Sequence, residues 1–599
     1  MGQLQLLLAA LVLLNLGSES FQNNLLHHLN RELKFDYALQ LGNSDPTWLK
    51  ILWQLPVPVI QIEEHSRENY NLLENPSQNV LTIAFVNDSP EDLLENLSRN
   101  LRMLNTQPVL LVIKKRTIRV NWLLEWCWNH QLLNVVAIGH DFKESLIVYS
   151  YTPFPIMQFI ERRLDNSTII FEQRLENLHG YKIPIALGGS SPRLIVYRGS
   201  DGKRIFSGPV GNFMKSFEQR YNCRLIQPYP FDETAISPAR DLVAAVRNGS
   251  VQVALGAIYP LRPYTGYSYP IELMSWCLMM PVPEEVPHSQ LYSMVFSPMA
   301  FGVTILVMVL ISLILSIALR LHGYRVSFSE YFLHDNCLRG VLSQSFYEVL
   351  RPPALIRAMY LVICLLGLLI TSSYNSYFST FVTSAPRLPQ LSSYESIKHS
   401  NLKVVMWKPE YEMLIHLSEN MEKYSSIVQL EADYKEFLHL RDSFDTRYGY
   451  MMPMEKWSLM KEQQRVFSSP LFSLQDELCV FHTVPIVFPI VSNSIFREPF
   501  DRLIMEVSAS GLLSHWKDMS FTEMIKAGQL SLEDRGHPKQ FRAMKVEDLM
   551  QIWRFVGWML GLATMVFLLE LVCYWRHKMW QHMKYVFCFG QTKIFKSRK

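Results

Sequence analysis

Six hydroxyl- or amide-bearing residues, Ser372, Asn375, Ser376, Ser379, Thr380 and Thr383, lie within residues 358–386, a stretch with no charged side chain. Their spacing (i, i+3, i+4, i+7, i+8, i+11) puts them on one face of an α-helix, with Tyr374, Tyr377, Phe378 and Phe381 on the other. At membrane depth such a stripe has two uses. It packs helices through small residues, or it forms the wall of a water-filled path. At about 1.5 Å per residue the stretch extends about 43 Å, past a hydrocarbon core of about 30 Å. No nucleophile elbow, HExxH motif or phosphate loop occurs, so the sequence does not read as an enzyme and calls for no cofactor or metal.

The elements that must position this stripe follow from composition and patterning. A chain of 599 residues, 49% apolar and 19% charged, reads as several domains partly in lipid. A net charge of +3 gives no reason to expect a nucleic-acid partner. Of the eight cysteines, Cys364 and Cys573 fall in apolar runs, and Cys337 and Cys588 on the side assigned below to the cytoplasm. Cys127, Cys223, Cys277 and Cys479 are left outside, where disulfides are permitted but their pairing is not legible.

Residues 1–18 read as a signal peptide: an apolar run broken by Gln5 and Asn15, then Gly17 and Ser18. The competing reading, a short anchor, needs a span that so few residues cannot make. A β-α rhythm then predicts a short extracellular α/β domain over residues 19–180. Its strands are 80–86, 109–113, 135–138 and 146–149, and its helices begin after Ser89 and at Val120. A second α/β segment, 183–287, has strands at 194–197 and 251–258 and helices at 210–221 and 238–247. Membrane helices follow at 299–319, 354–384 and 555–575. Residues 334–350 are too short and polar to cross, and read as a re-entrant loop or as an amphipathic cytoplasmic helix. Residues 387–552 are soluble again, with a strand at 404–407, helices at 409–421 and 500–516, and a buried strand at 479–490. The tail, 576–599, holds seven Lys or Arg and no acid, which assigns it to the cytoplasm. Three spans from an outside N-terminus agree with that. Sequons at Asn87, Asn96, Asn166 and Asn248 all precede the first span.

This order, an α/β half, a span, a re-entrant loop, a span, a second α/β half and a span, resembles the ionotropic glutamate receptors. Residues 373–383, SYNSYFSTFVT, look like that family's gate-helix signature SYTANLAAFLT, matching at Ser373, Tyr374, Phe381 and Thr383. Residues 506–516, with Glu506, Gly511, Leu512 and Trp516, are similar to its late E-x-G-x-L…W segment, one residue longer. The short outer domain, Asn177-Leu178-His179-Gly180 and the segment LRGVLSQS at 338–345 resemble the variant, chemosensory branch found in insects.

The resemblance implies a membrane protein with an α-helical pore and an extracellular bilobed, periplasmic-binding-protein-like α/β domain that binds a small molecule. It implies a cation channel subunit in a plasma membrane, assembled as a heterotetramer with other ionotropic receptor subunits, a co-receptor among them. Arg262 falls near the family's carboxylate-binding arginine; the plain reading is a surface arginine beside a proline turn. Pro453 stands about where the family places the acid that binds an amino group, so glutamate is not the expected ligand. Gln344 occupies the pore-loop apex, and Glu348 matches an acidic position that would favour cations, or is an ordinary acid beside Arg351. The rival reading is a non-conducting receptor or accessory subunit with a vestigial pore.

Overall fold

The computed structural model describes residues 25–63, 72, 77–87, 90–165, 169–188, 191–228, 239–256, 258, 260, 266–347, 351–415, 422–536 and 545–595. They divide into two compact units. One is built from residues up to Pro281 together with Ser392–His537; the other from Val282–Leu391 and Pro538 onward.

The first unit begins with a seven-stranded sheet in the order β2-β1-β3-β4-β5-β6-β7. Its strands are β1 (Tyr37–Leu41), β2 (Val59–Ile62), β3 (Val80–Val86), β4 (Val109–Ile113), β5 (Val135–Ile138), β6 (Ile147–Thr152) and β7 (Gln158–Arg163). β1 to β5 pair in parallel, and β6 and β7 run antiparallel. Parallel strands covered on both faces are apolar at successive positions. Ala84, Val86, Val109 and Leu111 enter one core with α2 (Pro90–Asn100) and α3 (Val120–Asn129). Ile83, Phe85, Leu110 and Val112 enter the other, with Trp48, Ile51 and Leu52 of α1 (Pro46–Trp53). The sequon at Asn96 falls on the buried side of α2. Its side chain is 2% exposed, and its amide nitrogen donates to the carbonyl of Glu63 at 3.1 Å. A glycan there would have to break this bond and draw the side chain out of the packed face of α2. Asn248 is exposed, Asn87 half-buried, and Asn166 lies outside the described residues.

The same unit continues through β8 (Tyr181–Leu187), β9 (Ile195–Arg198), β10 (Arg204–Ser207), α4 (Gly208–Tyr221), β11 (Cys223–Ile226), α5 (Ala239–Arg247), β12 (Val253–Leu255) and β13 (Glu272–Pro281). The chain then enters the second unit as α6 (His288–Met294), α7 (Pro298–Leu321), α8 (Asp335–Val341) and α9 (Ala354–Thr383). It returns as β14 (Lys403–Trp407), α10 (Lys408–Leu414), β15 (Val428–Glu431), α11 (Tyr434–Asp442), β16 (Tyr448–Pro453), α12 (Met454–Gln464), β17 (Phe472–Ile486), α13 (Arg497–Ala509) and α14 (Leu512–Lys526). The last helix is α15 (Met550–Phe595).

Two lobes result in the first unit. The parallel sheet β11-β8-β12 packs with α4, α13 and α14 around Phe213, Phe217, Phe488 and Phe500. The sheet β15-β14-β16-β13-β17 packs with α11 and α12 around Val405, Phe437, Tyr450 and Trp457. The main chain passes between the lobes where β13 starts and β17 ends, with Glu272 opposite Ile486. A disulfide joins Cys277 of β13 to Cys479 of β17. The helix expected over 500–516 is two helices, because Gly511 adopts φ +76 between α13 and α14. The strand expected at 479–490 belongs to β17 only as far as Ile486, and that strand begins at Phe472; Val487, Pro489 and Ile490 make isolated bridges.

In the second unit three helices are long and apolar enough to cross a membrane: Pro298–Leu321, Ala354–Thr383 and Val546–Trp580. α15 runs on past residue 576 as far as Phe595, with no proline to interrupt it. The second unit takes in the chain from Pro538 onward.

Candidate functional site

Among the described residues, 334–347 do not form one continuous amphipathic helix. α8 spans seven residues, and residues 342–347 continue without helix. α8 lies on α9 through glycine. A methyl on Gly367 would come within 1.9 Å of the Gly340 carbonyl oxygen, and one on Gly340 within 2.2 Å of Ile363. Around this contact Leu315, Cys337, Val341, Ile356, Tyr360 and Ile363 form the core of the unit. Ser343 and Thr371 share a hydroxyl hydrogen bond at 2.9 Å beside it. Gln344 is exposed in the turn after α8, its backbone N–H donating to the carbonyl of Arg339 at 2.7 Å. Glu348 and Arg262 lie outside the described residues.

α9 carries the polar stripe. Ser372, Asn375, Ser376, Ser379, Thr380 and Thr383 are all exposed on it. Thr380 and Thr383 donate back to the carbonyls of Ser376 and Ser379 at 2.9 and 3.0 Å, so their hydroxyls are held along the helix. The aromatic face splits. Tyr374 and Phe378 pack on Phe296 and Tyr292 beside α6, with centroid separations of 5.6 and 5.0 Å, while Tyr377 stays exposed. The Tyr374 hydroxyl donates to the Tyr292 carbonyl at 3.4 Å. The segments leading into α6 and out of α9 are tied to each other: Val286 N–H donates to Pro386, and Leu388 N–H to Glu284, at 2.8 and 3.0 Å.

The first unit holds a charged cluster that sequence reasoning misses. Arg193 Nε meets Glu272 Oε1 at 2.9 Å, and its terminal nitrogen meets Glu455 Oε2 at 2.6 Å. Lys517 Nζ lies 2.5 Å from Glu272 Oε2 and 3.6 Å from Glu455 Oε1. Arg193 precedes β9, Glu272 opens β13, Glu455 is in the first turn of α12 and Lys517 lies on α14. Burial, and then Glu272 against the pull of Arg193 and Lys517, leaves the Glu455 carboxyl above the ordinary range. Burial opposes ionisation of Glu272 too, but its hydrogen bond with Glu455 and its two cations hold it below that range. The two carboxyls are pushed apart as expected for like charges sharing one site. Glu455 lies two residues after Pro453, in the first turn of the helix that Pro453 caps. An acid in a helix's first turn, S/T-free but favoured by the dipole, is the only signal the sequence offers for it.

A second set lies within the other lobe. Asp442 takes Arg441 Nε at 2.9 Å and Lys456 Nζ at 3.2 Å. Burial opposes ionisation of Asp442, but these two cations win and hold it at about 2. Glu410, in the first turn of α10, is pushed up to about 7 by burial. Among the described residues no group of three or more His, Cys, Asp or Glu side chains is placed to hold a metal ion.

No family model matches the chain, and no curated protein matches it.

Proposed function

We propose that the chain is a subunit of a ligand-gated cation channel with a chemosensory role, in a plasma membrane, working with other receptor subunits and a co-receptor. One observation carries the reading. A single bilobed α/β unit is assembled from two stretches of sequence, and the chain leaves it between them to form a unit of apolar helices. A change in the lobes therefore has covalent routes to the helices. The segments tied at Glu284–Leu388 and Val286–Pro386 are the places where it would be felt, next to the polar stripe of α9. A small ligand shifts the lobes only by its differential affinity for their two arrangements. Extracellular lobes, a cytoplasmic tail and a four-subunit ring belong to the same proposal, with the exposed stripe from Ser372 to Thr383 as the pore wall.

The test is voltage-clamped expression with and without candidate partner subunits, against a panel of acids, amines and sugars. The proposal expects agonist currents that Ser376→Arg abolishes at unchanged surface level. Saturable binding without current in every combination would overturn it in favour of a non-conducting receptor.

A further inference from the structure

The four groups Arg193, Glu272, Glu455 and Lys517 come from three mechanically different places. Arg193 and Lys517 belong to the lobe containing α4, α13 and α14; Lys517 follows Leu513, which is in that lobe's core. Glu455 belongs to the other lobe, next to Trp457 of its core. Glu272 faces Ile486 on the strand pair by which the chain crosses between the lobes. The lobes also touch beside the cluster, where Ile195 packs with Leu459 and Met524, and where Gln463 Nε2 donates to the Ser531 carbonyl at 2.7 Å.

Separating the lobes by rotation about that strand pair would leave Glu272 with Arg193 and Lys517. It would break the contacts of both cations with Glu455. We propose that this cluster is a proton-coupled latch: Glu455 holds the lobes together while it shares the site with Glu272 as a neutral carboxyl, and releases them when it ionises. The charged groups that bear on Glu455 are Arg193 beside β9, Glu272 on β13 and Lys517 on α14. Lys456, its neighbour on α12, turns to Asp442 at 3.2 Å instead.

The sign follows from linkage. Glu455 is less acidic in the latched arrangement than in water, so the latched state binds the proton more tightly. The latch is fully formed below the ordinary glutamate range and is lost as pH rises above it. Each pH unit in that window raises the ratio of open to latched lobes by about tenfold, until Glu455 ionises within the latch itself and the ratio levels off. Glu272 acts oppositely, and only through its hydrogen bond with Glu455, because it keeps both cations when the lobes part: that bond helps hold its pKa down in the latched state, and the support it gives fails only in strong acid.

The test uses the full chain in lipid nanodiscs, with Cys364, Cys573 and Cys588 replaced by Ser. Spin labels go on Gln219→Cys and Glu436→Cys, exposed positions of α4 and α11 in opposite lobes. Distance distributions are recorded from about pH 5 to about pH 9. The latch predicts a shift toward longer separations as pH rises, followed by a plateau. Glu455→Gln, isosteric with the neutral acid, abolishes the pH dependence. Glu272→Gln removes the repelling carboxylate, so Glu455 ionises more readily and the plateau arrives at lower pH. That variant also keeps the test alive should Glu455→Gln fail to fold. Distances that do not change with pH in the unsubstituted chain, or a Glu455→Gln chain that titrates as it does, would overturn the proposal.

Discussion

Replacing Gly367 by alanine should pry α8 from α9. The added methyl would sit 1.9 Å from the Gly340 carbonyl oxygen, less than any real contact, and the obstacle is backbone that no rotamer change can move aside. Overpacking of this kind costs about 1–3 kcal/mol. That multiplies the population in which α8 is lifted off by roughly 5- to 150-fold. Cys337 reports it. It is fully buried in α8, with its thiol 3.5 Å from the Met308 carbonyl. In a background lacking Cys364, Cys573 and Cys588, a membrane-permeant maleimide should modify Cys337 faster in Gly367→Ala by a factor in that range. Gly302→Ala is the control, because a methyl on Gly302 of α7 meets nothing within 4 Å. Equal Cys337 reactivity in the two variants would refute the account of backbone contact between α8 and α9.

Two further predictions concern the first unit. Glu410 stands at about 7 against an ordinary 4.5, so its neutral form is the one the fold prefers. The stability it contributes is complete below the ordinary value and is lost as pH rises through about 7. Glu410→Gln should therefore melt higher than the unsubstituted chain at mildly alkaline pH, by the equivalent of up to about 3 kcal/mol, and match it in acid. The same melting difference at both pH values would count against the burial of Glu410 as its cause. In a secretory host, Asn248→Gln should lower the chain's mass by one glycan while Asn96→Gln leaves it unchanged, since Asn248 is exposed and Asn96 is 2% exposed. Mass spectrometry of the intact chain decides it.

What the sequence made legible was whatever its local chemistry repeats. β4 is an uninterrupted apolar run and β3 one broken only by Thr82, and both are readable to the residue because strands covered on two faces need little else. The three long apolar helices announce themselves by length. β7, at the sheet edge, reads as Gln158-Phe159-Ile160-Glu161-Arg162-Arg163, with half its positions charged, and periodicity alone does not mark it. The polar stripe of α9 was legible because i, i+3, i+4 spacing is a property of one helix. The Arg193–Glu272–Glu455–Lys517 cluster was not, because its members are 79, 183 and 62 positions apart in sequence order and meet only through the tertiary fold.

The bond between Cys277 and Cys479 has a consequence for how the chain is made. Cys277 leaves the ribosome 202 residues before its partner, and β13 precedes both β16 and β17, the strands it pairs with. At about 5–20 residues per second, β13 waits about 10–40 seconds as an unpaired edge. During that wait α7 and α9, both long and apolar enough to cross a membrane, are synthesised. If they insert as they emerge, insertion and folding are not successive stages. The disulfide closes only in an oxidising compartment, after the helices between its two cysteines have been delivered, and so it records in one covalent bond that both tasks were completed in the right order.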